Sequence, residues 1–233
     1  MESLNLIFDE KLLKEKLYPF DSPQRTSIKD DFFKSSAVLF TIIPHAVDPY
    51  ELVVIHRSNY GLRHRGEMSF PGGKFESKYD KSLVDTVLRE TEEEIGVPRN
   101  NIKILGCLHD FPTMSQYIIS PFIGYINEDQ PLIRDEKEVQ AIVKVPIDFF
   151  IYKKKFRQET YEVEGNKFPV YFFDYKEKKS GKIYTIWGAT AYMIATYIEM
   201  IYNLKISDTG LRRFNIYEIK TMKDILFRHN KTE

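Results

Sequence analysis

Glutamates crowd one short stretch of the sequence, where Glu90, Glu93 and Glu94 fall within five positions. On an α-helix, residues at i, i+3 and i+4 project from one edge, so the three carboxylates face the same way. Like charges at this spacing destabilise an isolated helix by about 0.2–0.5 kcal/mol per pair. Clustered carboxylate oxygens suit a hard divalent cation, above all Mg²⁺. The spacing therefore indicates a site for Mg²⁺ or Mn²⁺, and a solvated acidic helix face is the alternative.

The helix that must carry these glutamates has recognisable ends. Ser82 followed by Asp85 resembles an N-terminal capping box, and Gly96 is a typical stop signal. Between them an apolar stripe can dock on a sheet. We therefore predict a helix over residues 82–95.

Two charged neighbours on this helix have different expected roles. Glu92 points away from the acidic edge. Arg89 lies four residues before Glu93 and can hold that carboxylate by a charge-assisted bond.

The rest of the chain is rich in apolar, β-branched runs, which predicts a sheet. A second long helix is expected over residues 187–204 and a short one over residues 9–17. This pattern predicts an α+β fold, an α/β/α sandwich with a mixed β-sheet between helices, in one domain over residues 1–233. Residues 206–233 form an appended element. The predicted strands cover residues 36–43, 51–57, 101–109, 117–126, 138–146, 168–175 and 182–187.

Composition limits the classes of partner. Lys plus Arg and Asp plus Glu both number 34 among the 233 residues, so the total charge does not predict nucleic-acid binding, and the basic run at residues 152–158 is short.

The apolar segment over residues 186–204 contains Glu199 and is interpreted as a core helix rather than a membrane span. Cys107 is the only cysteine, and the N-terminus does not resemble a secretory signal. We expect a cytoplasmic protein with a small-molecule partner. The oligomeric state stays open, a homodimer being one alternative.

The stretch "RETEEEIGV" (89–97) resembles the core of the Nudix box, with Thr91 in place of an aliphatic residue, and "PGG" (71–73) resembles its glycine entry. The resemblance implies the Nudix-type fold and a metal-dependent hydrolase of nucleotide diphosphates. It also implies that Glu90, Glu93 and Glu94 bind the metal together with the Gly73 carbonyl, and that Arg89 orients a catalytic glutamate.

The loop before the helix departs from the family pattern. The distance from Gly73 to Arg89 is two residues longer, and Tyr79 falls where the family has its first glutamate. Glu76 or Asp80 can take over from that glutamate, and the sequence leaves both alternatives open.

Residues 56–73, "HRSNYGLRHRGEMSFPGG", resemble the segment that precedes the box in the coenzyme A diphosphatase branch of the family. Residues 117–126 and 186–191 resemble later segments of that branch, so the resemblance covers residues 35–204. It implies hydrolysis of coenzyme A, or a derivative, to 3′,5′-ADP and 4′-phosphopantetheine. Basic side chains in this segment suit phosphate, and a surface cluster paired with acids elsewhere is the alternative. The substrate-binding residues expected from it are Arg57, Ser58, Arg63, Arg65 and Gly72, with His64 as a weaker candidate.

The general base has three candidates. Glu90 and Glu93 can serve directly, and Glu138 matches an acid of the branch and precedes a predicted strand. The alternative for Glu138 is a solvated loop acid.

Two other functions compete with coenzyme A hydrolysis. The first is hydrolysis of ADP-ribose or another nucleoside diphosphate derivative, because the box is the same in kind. The second is a non-catalytic nucleotide-binding module, which the presence of all three box glutamates disfavours.

Overall fold

A computed structural model describes residues 4–58, 66–152, 156–163, 166–207 and 215–220 of the chain. Within these ranges it contains two β-sheets and four helices of the main fold, and residues 216–220 form a further short helix.

The larger sheet is mixed and is organised around strand β1 (Lys34–Ile43). β1 pairs in parallel with β7 (Tyr117–Tyr125) and antiparallel with β2 (Glu51–Arg57) and β4 (Gly72–Lys74). The remaining strands extend this sheet on both sides: β3 (Met68–Ser69) and β8 (Val139–Pro146) pair with β2, while β5 (Lys103–Cys107) and β6 (Phe111–Pro112) pair with β7.

The two faces of this sheet are covered by different helices. Alternate residues of β1 point to opposite faces, so Leu39 packs in one apolar cluster while Phe40 packs in the other. The cluster around Leu39 includes α2 (Leu83–Ile95). The cluster around Phe40 includes α1 (Glu10–Lys16), α3 (Ile147–Ile151) and α4 (Gly188–Tyr202). The prediction of an α+β fold with a mixed sheet between helical layers is confirmed.

The smaller sheet is an antiparallel arrangement of three strands that packs against α4. It consists of β9 (Phe156–Val163), β10 (Asn166–Lys176) and β11 (Ile183–Trp187), with β10 in the centre. Tyr171, Phe173 and Ile186 turn one face of this sheet into the core. The opposite face carries Phe172 and Trp187.

The sequence predicted most of these elements but omitted several. The seven predicted strands and the three predicted helices are confirmed within a few residues at each end. The prediction missed β9, which carries four consecutive polar residues over 157–160, and the very short strands β3, β4 and β6. In the described ranges no helix is long and apolar enough to cross a membrane. The single-domain organisation stays a prediction, and most of residues 206–233 lie outside the described residues.

Candidate active site

Helix α2 begins and ends where its sequence signals predict. The Ser82 hydroxyl accepts a hydrogen bond from the Asp85 backbone N–H, and Gly96 ends the helix in the left-handed conformation with φ of 70°. Val87 and Ile95 are buried against β1 and its neighbours. This packing fixes the rotation of the helix and turns its acidic edge toward β4.

Thr91, where the Nudix box has an aliphatic residue, is fully buried in α2. Its hydroxyl donates to the Val87 carbonyl at 2.6 Å, one turn earlier in the same helix. The polar group is therefore satisfied inside the helix, and the substitution leaves the packing face intact.

Two glycines bring strand β4 against the acidic edge. A Cβ at Gly72, whose φ is +150°, would lie 2.2 Å from the Ala37 carbonyl oxygen. A Cβ at Gly73 would lie 2.3 Å from the Glu90 carboxylate. The Gly72 N–H donates to Glu94 Oε2 at 2.9 Å. Only glycine allows the strand to approach the two carboxylates this closely.

Asp80 is the loop acid that holds Arg89. Its two oxygens accept from Arg89 Nε at 2.8 Å and Nη2 at 3.0 Å, and they also accept from the Glu76 N–H and the Thr86 hydroxyl. The bonded Arg89 guanidinium is the main cause that lowers the pKa of Asp80 to about 2. Of the two alternatives that the sequence left open, the contacts select Asp80, since the Glu76 side chain is exposed.

Arg89 in turn contacts two of the candidate metal ligands. Its Nη1 donates to Glu90 at 2.8 Å and to Glu93 at 2.9 Å, so the predicted Arg89–Glu93 bond is present. Glu92 points elsewhere, as expected, and bonds Arg99. Arg89 therefore fixes Glu90 and Glu93 relative to each other.

Glu94 is buried and Glu90 is half-buried, and burial changes the protonation of both carboxylates. The Glu94 side chain is 1% exposed, and burial raises its pKa to about 8 although Arg57 Nη1 donates to it at 3.0 Å. Burial also raises the pKa of Glu90, against the opposing effect of Arg89. The charge of Glu138, an exposed acid, further raises both pKa values.

The acidic side chains fit a hard divalent cation, but they are not arranged as a closed cage. Among the described residues no group of three or more Asp, Glu, His or Cys side chains is arranged to hold a metal ion. The expected convergence of three carboxylates is therefore not met: Glu93 is 57% exposed, and Arg57 and Arg89 occupy carboxylate oxygens. Carboxylate oxygens are nevertheless the donors that Mg²⁺ prefers, and the missing Cβ of Gly73 keeps its backbone beside Glu90.

A cleft of about 650 Å³ opens beside this group. Arg57, Gly72, Gly73 and Lys74 line the end near the acidic edge of α2. Ser69 also lines the cleft, and its buried hydroxyl oxygen has no hydrogen-bond partner within the part of the chain that the structure describes. The far end of the cleft lies between β6, α4 and the three-stranded sheet, and its lining includes Phe111, Met114, Tyr161, Tyr171, Trp187, Tyr192 and Met193.

Of the predicted substrate-binding residues that the structure describes, two line the cleft and one does not. Arg57 and Gly72 line the cleft. Ser58 is 4% exposed, is not among the cleft-lining residues, and donates its backbone N–H to the Glu138 carbonyl. Arg63, His64 and Arg65 lie outside the described residues.

Sequence reasoning missed the aromatic and methionine side chains at the far end of the cleft. Tyr161 lies on β9, which was not predicted, and Met114 lies in the turn after β6. Trp187 could have been found from the sequence, because it lies within residues 186–191, which resemble a later segment of the family branch.

Residues 38–163 match the family model of the NUDIX domain, and the chain belongs to this family. A relative from Pectobacterium atrosepticum, named uncharacterized Nudix hydrolase NudL, is 34% identical over 116 residues, or 49% of this chain and 58% of the relative. A relative of the same name from Yersinia pestis is 32% identical over 114 residues, 49% of this chain and 56% of the relative. The matched region thus spans little more than half of these relatives.

Solved structures also resemble this chain, at lower identity. A MutT/nudix family protein from Enterococcus faecalis is 17% identical with a TM-score of 0.46, covering 77% of this chain and 65% of its own. The NUDIX domain of Shewanella oneidensis NrtR, crystallised with ADP ribose, is 19% identical with a TM-score of 0.40, covering 55% of this chain and 79% of its own. The family assignment rests on the sequence match over residues 38–163.

Proposed function

We propose that this protein is a hydrolase of diphosphate linkages in nucleotide derivatives, with coenzyme A as its substrate and 3′,5′-ADP and 4′-phosphopantetheine as products. One observation carries the proposal. The acidic edge of α2, braced by Asp80 and Arg89, meets the cleft at Gly72 and Gly73. A diphosphate that enters this end of the cleft would lie beside the carboxylates and Arg57.

The residues proposed to hold Mg²⁺ or Mn²⁺ are Glu90, Glu93 and Glu94, with the Gly73 carbonyl. When bound, the ion would neutralise phosphoryl charge and lower the pKa of water at the site. Arg89 would keep Glu90 and Glu93 in place through its two bonds, and Arg57 would turn from Glu94 toward the substrate phosphate.

The reaction is a hydrolysis that yields two phosphate monoesters. The water oxygen forms a bond to one phosphorus while the bond from that phosphorus to the bridging oxygen breaks, and the leaving phosphate departs with the electron pair. A carboxylate takes the proton of the water. Glu90 suits this role because burial raises its pKa, and Glu138 is the second candidate because it lies within electrostatic reach of Glu90 and Glu94. Glu93 remains the third.

The choice of coenzyme A rests on the resemblance of residues 56–73 to the diphosphatase branch. Within the described part of that segment, Arg57 contributes a guanidinium to the cleft. A substrate with two separate phosphate groups would use more than one cation, and Arg63 and Arg65 of the same segment are the further candidates. A small-molecule nucleotide as the partner, the cytoplasmic location and a homodimeric state remain predictions.

A substrate panel tests the proposal. Coenzyme A, ADP-ribose and a dinucleoside polyphosphate are each incubated with the protein and Mg²⁺, with and without EDTA, and the products are separated by chromatography. We expect 3′,5′-ADP and 4′-phosphopantetheine from coenzyme A, and no products in EDTA. Turnover of ADP-ribose without turnover of coenzyme A would support the alternative substrate.

A variant separates catalysis from binding alone. Glu93→Gln is compared with Glu92→Gln, which changes the same residue type at the position that faces Arg99. We expect loss of turnover only in Glu93→Gln. Nucleotide binding with near-zero turnover in the unmodified protein and in both variants would indicate a non-catalytic module.

A further inference from the structure

A second groove, of about 380 Å³, lies on the outer face of the three-stranded sheet. It shares Met68, Tyr161 and Trp187 with the cleft described above. A ligand held at the acidic edge of α2 could therefore extend into either space. The two spaces differ in chemistry, and this difference indicates which half of a substrate each would take.

The groove has an aromatic floor in which two rings are exposed. Phe172 is buried and stacks on Trp187, its cross-strand partner, with ring centroids 6.2 Å apart and planes 11° apart. Trp187 is 42% exposed and Tyr161 is 52% exposed. An exposed, flat ring that is held in place from below is a platform for a nucleobase, and such stacking contributes about 1–3 kcal/mol per base.

The groove also contains a cation whose charge is not compensated by an acid. Lys182 lines the groove with its Nζ 4.7 Å from the centre of the Tyr184 ring. Across the described ranges no carboxylate forms an ion pair with Lys182, whereas Arg157 on the same sheet pairs with both Asp174 and Glu159. An ammonium of this kind binds a phosphate group as a point charge.

The wall of the groove contains a further polar atom without a partner. His56 lines the groove, and its buried Nδ1 makes no hydrogen bond in the described part of the structure.

The inner part of the cleft has a different lining. Phe111, Met114 and Met193 contribute apolar surface there beside the rings of Tyr171 and Tyr192, and the described lining residues at this end include no charged side chain. This lining suits an extended, uncharged chain better than a phosphorylated nucleotide.

We propose that the groove binds the 3′-phosphorylated adenosine half of the substrate, with the adenine stacked on Trp187 beside Tyr161 and the 3′-phosphate paired with Lys182. The assignment rests on the proposed function, since it takes the products of coenzyme A hydrolysis as its ligands. It makes the three-stranded sheet, which lies apart from the acidic helix, the determinant of nucleotide specificity.

The only tryptophan of the chain allows a direct test, because all tryptophan emission comes from Trp187. The protein in EDTA is titrated with 3′,5′-ADP, 5′-AMP and 4′-phosphopantetheine while the emission is recorded. We expect 3′,5′-ADP to quench the emission and to bind about tenfold more tightly than 5′-AMP, the difference expected for one charge-assisted contact. We expect 4′-phosphopantetheine to quench it less than either nucleotide.

Variants locate the 3′-phosphate contact. Lys182→Gln should bind 3′,5′-ADP and 5′-AMP with equal affinity, and Lys182→Arg should keep the preference for 3′,5′-ADP. Lys179→Gln, at an exposed position in the turn between β10 and β11, is the matched loss of one positive charge and should leave the preference unchanged.

The outcomes separate this inference from the proposed function. The inference alone would be overturned if the protein hydrolyses coenzyme A but Lys182→Gln keeps the preference for 3′,5′-ADP. It would also be overturned if the protein hydrolyses coenzyme A and calorimetry detects binding of 3′,5′-ADP that leaves the emission unchanged. Quenching that depends on Lys182, in a protein that does not hydrolyse coenzyme A, would support the groove and contradict the proposed function.

Discussion

Two groups of charged side chains in this fold differ in how fully their charges are compensated. In the first group, Arg25 and Asp110 form an ion pair with side chains only 1% and 4% exposed. The Ser120 hydroxyl and the Ile28 N–H also donate to Asp110, and Arg25 Nε donates to the Leu108 carbonyl. Each charge in this group therefore has an opposite charge and neutral partners as well.

The second group is the acidic edge of α2, where carboxylates outnumber cations. Burial there raises the pKa of Glu94 to about 8, so its charged form lacks full compensation. Five carboxylates in this group face two guanidiniums, Arg57 and Arg89, in the described structure. Asp80 and Glu94 are buried, Glu90 is half-buried, and Glu93 and Glu138 are exposed.

The contrast separates a structural charge pair from a group arranged for a ligand. A buried pair with complete partners holds elements of the fold together, and it is strongly destabilised when one partner is removed. A buried excess of one sign is unfavourable until a ligand of the other sign arrives, which is typical of functional sites.

Removal of one partner from the first group should have the largest effect on stability. In Asp110→Ala the buried Arg25 guanidinium loses its counter-charge, and we expect the free energy of unfolding to fall by about 3–5 kcal/mol. Urea denaturation measures this change. Asp129→Ala, at an exposed turn position, is the control and should stay within about 0.5 kcal/mol. A loss below about 1 kcal/mol in Asp110→Ala would show that the Arg25–Asp110 pair is not a structural charge pair, and the contrast between the two groups would fail.

The corresponding change in the second group should affect activity rather than stability. In Glu94→Gln we expect turnover of coenzyme A to fall about 100-fold, equivalent to about 2.7 kcal/mol, because a buried carboxylate at the reacting centre is lost. At pH 6, where the folded protein holds Glu94 protonated, the free energy of unfolding without metal should change by less than about 1 kcal/mol, since the amide oxygen can still accept from the Gly72 N–H. Steady-state kinetics and urea denaturation are compared with those of Glu92→Gln. Destabilisation as large as in Asp110→Ala would show that Glu94 is structural.

The pH dependence of stability should show the uncompensated charge directly. The folded-state pKa of Glu94, about 8, lies above its ordinary value of 4.5. The folded protein therefore holds this proton more tightly than the unfolded chain, and stability is lost as pH rises toward 8. Without metal, we expect the free energy of unfolding to fall by about 2 kcal/mol between about pH 6 and pH 8.

Two controls identify the group that causes this fall. Glu94→Gln, which has no proton to lose, should flatten the dependence over the same pH range. Saturating Mn²⁺ should flatten it as well, because the ion binds the ionised carboxylate. An equal fall in Glu94→Gln would assign the dependence to another residue.

A smaller effect should follow when Arg89 loses the Asp80 carboxylate that holds it in place. In Asp80→Asn the guanidinium keeps Glu90 and Glu93 but loses its charged partner, and we expect kcat for coenzyme A to fall about tenfold with little change in KM. Glu76→Gln, the exposed acid of the same loop, should keep full kcat. A larger fall in kcat for Glu76→Gln than for Asp80→Asn would assign the positioning of Arg89 to Glu76.

The sequence predicted those parts of the fold that depend on local signals. The cap at Ser82, the stop at Gly96 and the apolar face of α2 are local, and they were enough to predict the helix and its acidic edge. The i, i+4 spacing was enough to predict the Arg89–Glu93 bond.

Features that depend on contacts distant in sequence were not predictable in the same way. The choice between Asp80 and Glu76 depends on which side chain the loop turns inward, and both have the same charge. The Arg57–Glu94 pair joins residues on different elements, and it explains why the carboxylates do not converge in this structure. The aromatic wall of the cleft includes Tyr161 of β9, and the four consecutive polar residues over 157–160 make that strand resemble a surface loop.

A titration with Mn²⁺ tests most directly whether the acidic edge of α2 is a cation site. The free ion is followed by electron paramagnetic resonance in the unmodified protein, in Glu94→Gln and in Glu92→Gln. We predict saturable binding to the unmodified protein and to Glu92→Gln, and binding at least about tenfold weaker to Glu94→Gln. Equal binding by all three proteins, or no binding by the unmodified protein, would contradict a metal site on this helix.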